Sequence, residues 1–545
     1  MGSSGAERAA KRVFLAALCS VCQALQGGML FPTESASREV KDASGLWRFR
    51  ADLSPERSRG FEQQWYRRPL AETGPVIDMP VPSSFNDITQ DAKIRDFIGW
   101  VWYEKDVWVP ARWIQDRGTR IVLRVGSAHY YSVLWVNGVK VTEHVGGHLP
   151  FEADISGVLR QTSGSACRIT IAVNNTLTLE TLPPGTIQYM NDRSRYPAGY
   201  FVQNTNFDFF NYAGIHRSVL LYTTPKAHID DITVETTFSD NIGLVSFNVS
   251  VLGSSKPAVK VTLSAQDGRC VASADGSRGV LKVTDVNLWW PYLMHENPAY
   301  LYSMEVQATA EDGQTDVYTL AVGIRTVKVT STQFLINNKP FYFHGVNKHE
   351  DADVINIFRQ KVSETCFSTG NRYVLFFLTS HLKLFNYARD LGAPYVDVIC
   401  VNSYLSWYHD PGHTELISLQ LNTQFDDWYG KYQKPIIQSE YGADAVPGLH
   451  SDPPMMFTEE YQTTVLQNYH NVFDQKRKEF VIGELIWNFA DFMTTQTITR
   501  VVGNKKGIFT RQRQPKAGAF LLRERYWRIA NETGVLPTWT RYPCL

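Results

Sequence analysis

A chain of 545 residues is too long for one hydrophobic core, so its length predicts two or three domains. Hydrophobic residues make up 43% of the chain and charged residues 20%, which excludes a disordered or fibrous protein. Lys+Arg and Asp+Glu both total 54, and this balance excludes binding to nucleic acid or to an anionic membrane through a global positive charge. An acidic ligand would therefore need a local basic site.

The N-terminus has the pattern of a cleaved secretory signal peptide, which we place at residues 1–25. Arg8, Lys11 and Arg12 precede an apolar run over residues 13–25. This run is too short to span a bilayer, and no later stretch supplies the ~18 apolar residues that a membrane helix needs. A buried core helix is the alternative. The signal interpretation predicts a protein of the secretory or endo-lysosomal lumen without a membrane span.

Three Asn-X-Ser/Thr sequons, at Asn174, Asn248 and Asn531, predict N-glycosylation in that lumen. Two of the seven cysteines, Cys19 and Cys22, fall in the signal segment. The remaining cysteines have neither metal-site nor disulfide-framework spacing, and at least one is left unpaired within the chain: Cys167, Cys270, Cys366, Cys400 and Cys544. The sequence therefore predicts neither a metal nor a cofactor.

Residues 26–223 and 224–326 both have the pattern of antiparallel β-sandwiches. In the first region, alternating runs such as residues 131–136 are followed by turn residues, here Asn137 and Gly138. The second region contains short strands at regular spacing, which is typical of an immunoglobulin-like sandwich. We expect two separate β domains.

Residues 327–545 change to apolar strands that end in polar residues and are separated by helical stretches. Four strand ends stand out, at residues 341–344, 396–402, 435–440 and 483–488. The pattern is typical of a (β/α)8 TIM barrel, in which the active site lies at the carboxyl ends of the strands. Only about half of the eight strands of such a barrel can be found, so the predicted barrel is incomplete.

Motifs spread over the whole chain resemble those of glycoside hydrolase family 2. They lie at residues 46–50 (LWRFR), 82–86 (PSSFN), 201–205 (FVQNT), 209–214 (FFNYAG), 288–291 (LWWP), 323–325 (GIR) and 344–350 (HGVNKHE). Within the family, residues 438–443 (QSEYGA) and 504–506 (NKK) are similar to the lysosomal β-glucuronidases. The resemblance implies a jelly-roll sugar-binding domain, an immunoglobulin-like β-sandwich and a catalytic TIM barrel, assembled as a homotetramer.

Glu440 is the residue most strongly indicated for catalysis. It ends the apolar strand 435–440, and a carboxylate there can attack an anomeric carbon. The resemblance implies that Glu440 is the nucleophile and that Tyr404 hydrogen-bonds it and favours its ionised form. An ion-paired glutamate at the core edge and a packing tyrosine are the alternatives.

Substrate binding is assigned by the resemblance to Asp192, Trp487, Arg500, Asn504 and Lys506. Cationic and amide donors placed together can recognise the carboxylate that distinguishes a glucuronide from a glucoside. The resemblance implies this role for Asn504 and Lys506, with Arg500 close by. Trp487 would form an aromatic wall, and Asp192 would reach the site from a loop of the first domain. A solvated basic face and a core tryptophan are the alternatives.

The sequence departs from the family where the catalytic acid/base should stand. A retaining glycosidase needs a second carboxyl group about 5–5.5 Å from the nucleophile. In this family it is the glutamate of an Asn-Glu pair that ends strand four. The only such pair in the barrel segment is Asn531-Glu532, inside a sequon, and unrelated residues at 354–385 replace strands two to five. No acid/base residue is found.

Three hypotheses about function follow. By resemblance, the chain is a lysosomal retaining exo-glycosidase that removes terminal β-D-glucuronic acid from glycosaminoglycan fragments and glucuronide conjugates. Alternatively, it is an inactive splice or gene-model variant that at most binds sugars or associates with other subunits. A β-galactosidase or β-mannosidase of the same clan is disfavoured by Arg500, Asn504 and Lys506. Without an acid/base carboxyl group, we expect this chain not to hydrolyse β-D-glucuronides.

Overall fold

The structure is a computed structural model, and it describes residues 30–162, 166–205, 208, 210–349, 376–379, 390, 392–497, 500 and 502–533. The predicted signal peptide and nearly all of residues 354–385 lie outside the described residues. No helix of the described part is both long and apolar enough to cross a membrane. In the same residues, no group of three or more His, Cys, Asp or Glu side chains is arranged to hold a metal ion.

Residues 40–225 form a jelly-roll, which we call the first sandwich. Its larger sheet contains β2 (Gly45–Ala51), β3 (Ile77–Val81), β4 (Trp100–Trp108), β7 (Tyr131–Val136), β8 (Val139–Val145) and β10 (Ala166–Asn174), in the order β3-β2-β4-β10-β7-β8. Its smaller sheet contains β1 (Val40–Asp42), β5 (Thr119–Val125), β9 (Phe151–Asp154) and β14 (Val219–Pro225), in the order β1-β14-β5-β9. Two-stranded ladders join β6 (Ala128–His129) to β13 (Gly214–Ile215) and β11 (Gly185–Tyr189) to β12 (Phe201–Thr205).

The larger sheet of the first sandwich is apolar on both faces. Ile169, Ile171 and Val173 alternate along β10 and pack in the core between the two sheets. Ala172, with Trp102 of β4, belongs to a second buried cluster on the opposite face. Short helical turns lie along this region, at Arg59–Glu62, Trp65–Arg67, Leu70–Glu72, Phe85–Ile88, Ala92–Arg95, Ala111–Gln115 and Ser156–Gln161. Burial on both faces explains why residues 169–173 of β10 are buried without interruption.

Residues 228–322 form an immunoglobulin-like sandwich, which we call the second sandwich. One sheet contains β15 (His228–Ser239), β16 (Ile242–Leu252) and β19 (Arg278–Thr284), in the order β15-β16-β19. The other contains β17 (Ala258–Ser264), β18 (Cys270–Asp275), β20 (Tyr302–Thr309) and β21 (Thr315–Val322), in the order β18-β17-β20-β21. Alternating residues of both sheets, such as Val245, Phe247, Val261 and Met304, fill the space between them.

The remaining described residues form the barrel segment. A small antiparallel sheet, β22 (Val327–Val329), β23 (Phe334–Ile336) and β24 (Lys339–Pro340), precedes five parallel strands. These are β25 (Phe343–Val346), β26 (Phe376–Thr379), β27 (Val398–Asn402), β28 (Ile436–Glu440) and β29 (Val481–Ile486), in the order β25-β29-β28-β27-β26. Over the described residues the sheet does not close, because β25 and β26 stand at its two ends.

Three long helices belong to the barrel segment: α1 (Ile417–Tyr432), α2 (Glu459–Lys476) and α3 (Ala517–Thr533). Helix α1 buries Ile417, Leu421 and Phe425, which recur every four residues and therefore lie on one face. Helix α2 begins at a side-chain cap, in which the Thr458 hydroxyl accepts a hydrogen bond from the Tyr461 N–H. Short 3₁₀ turns lie at Ala393–Tyr395 and Thr414–Leu416.

Ion pairs join the three regions. Buried Arg38, which precedes β1, donates to Asp316 of the second sandwich at 3.0 and 2.6 Å. Arg511 of the barrel segment donates to Asp87 of the first sandwich at 2.8 Å.

The predicted modification sites lie in different environments. Asn248 and Asn531 are exposed, on β16 and α3, whereas Asn174 is half-buried at the end of β10. Cys167 and Cys400 are buried, whereas Cys270 is exposed. Cys366 and Cys544 lie outside the described residues.

Candidate active site

Four neighbouring parallel strands bring their polar ends to one edge of the sheet. Strands β25, β29, β28 and β27 are adjacent in that order, and all run in the same direction. Asn347, directly after β25, donates its side-chain N–H to the Ser439 carbonyl of β28 at 2.7 Å. Its backbone N–H donates to the Ile486 carbonyl of β29 at 2.9 Å. These bonds fix the carboxyl edge where a barrel enzyme carries its site.

Glu440 ends β28 at this edge and is held by a tyrosine. The Tyr404 hydroxyl donates to Glu440 Oε2 at 2.6 Å, which is the contact that the family resemblance implied. Burial raises the pKa of Glu440, while hydrogen bonds from Tyr404 and Asn402 and the charge of Lys506 act to lower it. Burial and the neighbouring carboxylate raise the pKa of Tyr404 well above its usual value, so the phenol stays a donor. The arrangement suits a carboxylate nucleophile.

The backbone after Glu440 is fitted against the residue that follows β29. The Trp487 N–H donates to the Tyr441 carbonyl at 2.9 Å. Gly442 has φ +145, and a Cβ there would lie 2.5 Å from the Trp487 carbonyl oxygen, so only glycine is accommodated. The backbone of Trp487 is therefore held beside the two residues that follow Glu440.

Aromatic rings form one wall at this edge. Trp487 meets the rings of His349 and Phe492 edge-on, with centroid separations of 5.2 and 5.8 Å. His349 and Phe492 are stacked on each other at 3.7 Å. Such an apolar surface next to a carboxylate can pack against the C–H face of a sugar ring.

Arg500, Asn504 and Lys506 form a cluster, which we call the cradle. Lys506 Nζ and Arg500 Nη2 both donate to the Tyr408 hydroxyl, at 2.9 and 2.7 Å. The Asn504 side-chain oxygen accepts the Lys506 N–H at 2.9 Å, which fixes the orientation of its amide. Asn504 and Lys506 are each 1% exposed. The cradle presents amide and cationic donors in a fixed, largely desolvated arrangement.

Carboxylates of the chain itself already bind the cradle. Asp208 of the first sandwich accepts from Arg500 Nε at 3.1 and 3.0 Å and from Asn504 Nδ2 at 3.0 Å. Asp444 accepts from Lys506 Nζ. These two aspartates and Tyr408 were not predicted. Asp208 lies beside the quoted motif at 209–214, and Tyr408 follows Trp407 in the segment of Tyr404, so both could have been found from the motifs.

The structure does not bring every predicted residue to this cluster. Asp192 is exposed in a turn, and its carboxylate accepts the Ser194 N–H and hydroxyl at 3.0 and 2.6 Å. The carboxylate that the first sandwich supplies to the cradle is Asp208, so the role of Asp192 stays a prediction. Within the described residues, no second carboxylate is among the groups that shift the pKa of Glu440. Four acidic side chains near the missing segment lie outside the described residues: Glu350, Asp351, Asp353 and Glu364.

Family models match nearly the whole chain. The sugar binding domain of glycosyl hydrolases family 2 matches residues 40–225, and a second model described as glycosyl hydrolases family 2 matches residues 227–325. The TIM barrel domain of the same family matches residues 327–357 and 380–531. The barrel match is interrupted where the sequence departs from the family.

Curated relatives cover the same extent. The chain is 55% identical to the β-glucuronidase of Mus musculus over 615 positions, which include 95% of each protein. It is 55% identical to that of Homo sapiens over 621 positions, which include 95% of this chain and 94% of the human protein. The mouse alignment is longer than the 545-residue chain by 70 positions, so at least 70 positions have no counterpart here.

Solved structures show the same architecture. The β-D-glucuronidase of Dictyoglomus thermophilum superposes with a TM-score of 0.78 at 38% identity, covering 92% of this chain and 99% of that chain. The β-glucuronidase of Ruminococcus gnavus in complex with D-glucuronic acid superposes with a TM-score of 0.78 at 29% identity, covering 92% and 100%.

Proposed function

The chain belongs to glycoside hydrolase family 2, and we propose that it acts on terminal β-D-glucuronides through Glu440 as the nucleophile of a retaining exo-glycosidase. The observation that carries the proposal is the position of Glu440: it accepts the Tyr404 hydroxyl at 2.6 Å, and the charge of Lys506, a cradle residue, acts on it. A carboxylate nucleophile and a site for the substrate's carboxylate thus lie side by side.

The first chemical step would form a glycosyl ester. Glu440 Oε attacks the anomeric carbon, the bond from that carbon to the leaving group breaks, and the sugar is held as an ester of Glu440. Tyr404 donates to Glu440 and favours its ionised form, which opposes the larger effect of burial that raises its pKa. Trp487, beside this carboxylate, would pack against the sugar ring.

The cradle would select the uronic acid. A C5 carboxylate can accept from Asn504 and Lys506, whereas the hydroxymethyl group of a glucoside carries no charge to pair with the ammonium group. Asp208 orients Arg500, and its oxygens can accept hydrogen bonds from ring hydroxyls. This supports a glucuronide over a galactoside or mannoside.

The missing acid/base residue restricts the leaving groups. The second step of a retaining mechanism, and the departure of a poor leaving group in the first, require a carboxyl group opposite the nucleophile. The sequence of the barrel segment has no Asn-Glu pair apart from Asn531-Glu532, and at least 70 positions of the alignment with the mouse protein have no counterpart in this chain. Aryl glucuronides of low leaving-group pKa would still react, while oligosaccharides and alkyl glucuronides would react about 10²–10⁴-fold more slowly. The alternative is a protein that only binds the sugar.

The finer biological context is also part of this proposal. The signal segment and the sequons at Asn174, Asn248 and Asn531 support a lysosomal glycoprotein whose substrates are glycosaminoglycan fragments and glucuronide conjugates. Assembly as a homotetramer follows from the family resemblance alone. Glycosidase treatment of the secreted chain should increase its electrophoretic mobility, and unchanged mobility would reject glycosylation.

Covalent labelling tests the nucleophile without needing an acid. In 2-deoxy-2-fluoro-β-D-glucuronosyl fluoride, the anomeric C–F bond breaks as fluoride leaves unprotonated, and the C–O bond to the enzyme forms. We expect the full chain to gain one fluoroglucuronosyl group, mapped by peptide mass spectrometry to residues around Glu440. The Glu440→Gln variant, of nearly the same shape, is the matched control and should stay unlabelled.

Two other outcomes discriminate between the hypotheses. Folded chain that binds D-glucuronic acid but gains no label would favour the sugar-binding alternative. Label on another residue would overturn the assignment of Glu440.

A further inference from the structure

We propose that Asp444 is a positioning residue that fixes Lys506 for the uronate carboxylate and thereby sets the preference for a charged over a neutral sugar; this rests on the proposed function. Asp444 follows Glu440 by four residues and is 1% exposed. One side chain therefore links the nucleophile-bearing segment to the cradle.

Both carboxylate oxygens of Asp444 accept hydrogen bonds from the segment that carries the cradle. Oδ1 accepts the Lys505 N–H at 2.8 Å, and Oδ2 accepts from Lys506 Nζ. Arg500 Nη1 lies 3.9 Å from the same Oδ2. Asp444 thus holds the backbone of the residue between Asn504 and Lys506 and, at the same time, the charged end of Lys506.

Lys506 depends on this partner because it is buried. Its ammonium group has three N–H donors, of which Asp444 and Tyr408 use two. The rings of Tyr404, Trp407 and Tyr408 enclose Nζ at 5.5, 5.0 and 4.6 Å from their centroids. A buried ammonium without a counter-ion is strongly unfavourable. Asp444 therefore supplies the counter-ion of Lys506 and leaves one N–H of the ammonium group for the uronate carboxylate.

The backbone around Asp444 is held by other groups. The Ala445 N–H donates to the Lys505 carbonyl at 3.0 Å. Lys516 Nζ donates to the Ala445 and Lys505 carbonyls at 2.8 and 2.9 Å and to Asp491 at 2.8 Å. Removal of the Asp444 charge should consequently alter Lys506 while the two segments remain joined.

The test compares the binding of two matched sugars to the full chain. Methyl β-D-glucuronide and methyl β-D-glucoside differ in the C5 substituent, a carboxylate in one and a hydroxymethyl group in the other. We expect Asp444→Asn to weaken binding of the glucuronide at least about tenfold in calorimetry or ligand-observed NMR, with binding of the glucoside unchanged. Lys516→Met is the matched control. It removes the hydrogen bonds that Lys516 makes to the Ala445 and Lys505 carbonyls without contacting Lys506, so it should change both affinities by the same factor.

A double variant keeps the test decisive if Asp444→Asn does not fold. Asp444→Asn combined with Lys506→Met leaves no unpaired charge between these two positions. Its affinity for the glucuronide should equal that of Lys506→Met alone; a lower affinity would overturn the proposal. So would an Asp444→Asn chain that keeps the wild-type preference for the glucuronide. If the wild-type chain shows no preference between the two sugars, the proposed function itself fails.

Discussion

The sheets of the first sandwich and of the barrel segment differ in whether they are complete. The larger sheet of the first sandwich has six antiparallel strands and is covered by buried clusters on both faces. The parallel sheet of the barrel segment has five strands over the described residues and remains open. The functional groups of the barrel segment nevertheless lie on adjacent strands, with Glu440 on β28 and Trp487 after β29. A sheet that is open over the described residues therefore still brings these side chains to one edge.

The largest expected effect of the open barrel segment is on how kcat/KM depends on the leaving group of the substrate. We expect kcat/KM to rise about 10²–10⁴-fold from methyl β-D-glucuronide to 2,4-dinitrophenyl β-D-glucuronide, because the nitrophenolate departs without protonation. Sodium azide should increase turnover of the aryl substrate: it attacks the anomeric carbon as the bond to Glu440 breaks, and no general base is required. Product analysis should find β-D-glucuronosyl azide. Efficient hydrolysis of both substrates, lost in Glu440→Gln, would show that an acid/base is present.

A buried ion pair should contribute strongly to the stability of the barrel segment. Arg525 of α3 donates to both oxygens of Glu484 on β29, at 2.6 and 2.7 Å, and the two side chains are 3% and 0% exposed. We expect Arg525→Met to lower the free energy of unfolding of this segment by about 3–5 kcal/mol, because Glu484 loses its buried partner. Denaturant titration, monitored by hydrogen exchange of amides in the barrel segment, measures this decrease in the free energy of unfolding.

The matched control lies on the same helix. Arg528 pairs with Asp474 at 2.9 Å, but its side chain is 47% exposed. Arg528→Met should cost about 0–1 kcal/mol. Equal effects of the two substitutions would contradict the role assigned to the buried pair.

The arrangement of the site was predicted in part. The four predicted strand ends all lie in one parallel sheet. They could be predicted because a buried strand with a polar end has a pattern that a short sequence window reveals. Asp208 and Asp444 were missed. Asp208 meets Arg500 across 292 positions of the chain and Asp444 meets Lys506 across 62, so the motif beside Asp208 could mark that residue but not its partner. Only the fold reveals that the cradle is held by carboxylates of the chain itself.

Acid should weaken the first sandwich through His129. Burial lowers the pKa of His129 to about 3, below its ordinary 6.5, and nearby His148 adds to this effect. The unfolded chain therefore binds the proton first, so the stability present above pH 6.5 decreases as the pH falls toward 3. The loss should reach about 2 kcal/mol at pH 5. His129→Gln should reduce this pH dependence in denaturant titrations.

Removal of the barrel segment should have the smallest effect on the two sandwiches. Their buried cores are made by residues of their own strands, and Arg38 joins them to each other through Asp316, with side chains 3% and 0% exposed. The barrel segment meets the first sandwich through ion pairs such as Arg511 with Asp87 and Arg500 with Asp208, whose side chains belong to neither sandwich core. A chain ending at Val327 should therefore unfold in one cooperative transition, with a midpoint within about 4 °C of the sandwich transition in the full chain. Calorimetry of both chains measures this, and a single higher transition of the full chain would mean that the open barrel segment folds as one unit with the sandwiches.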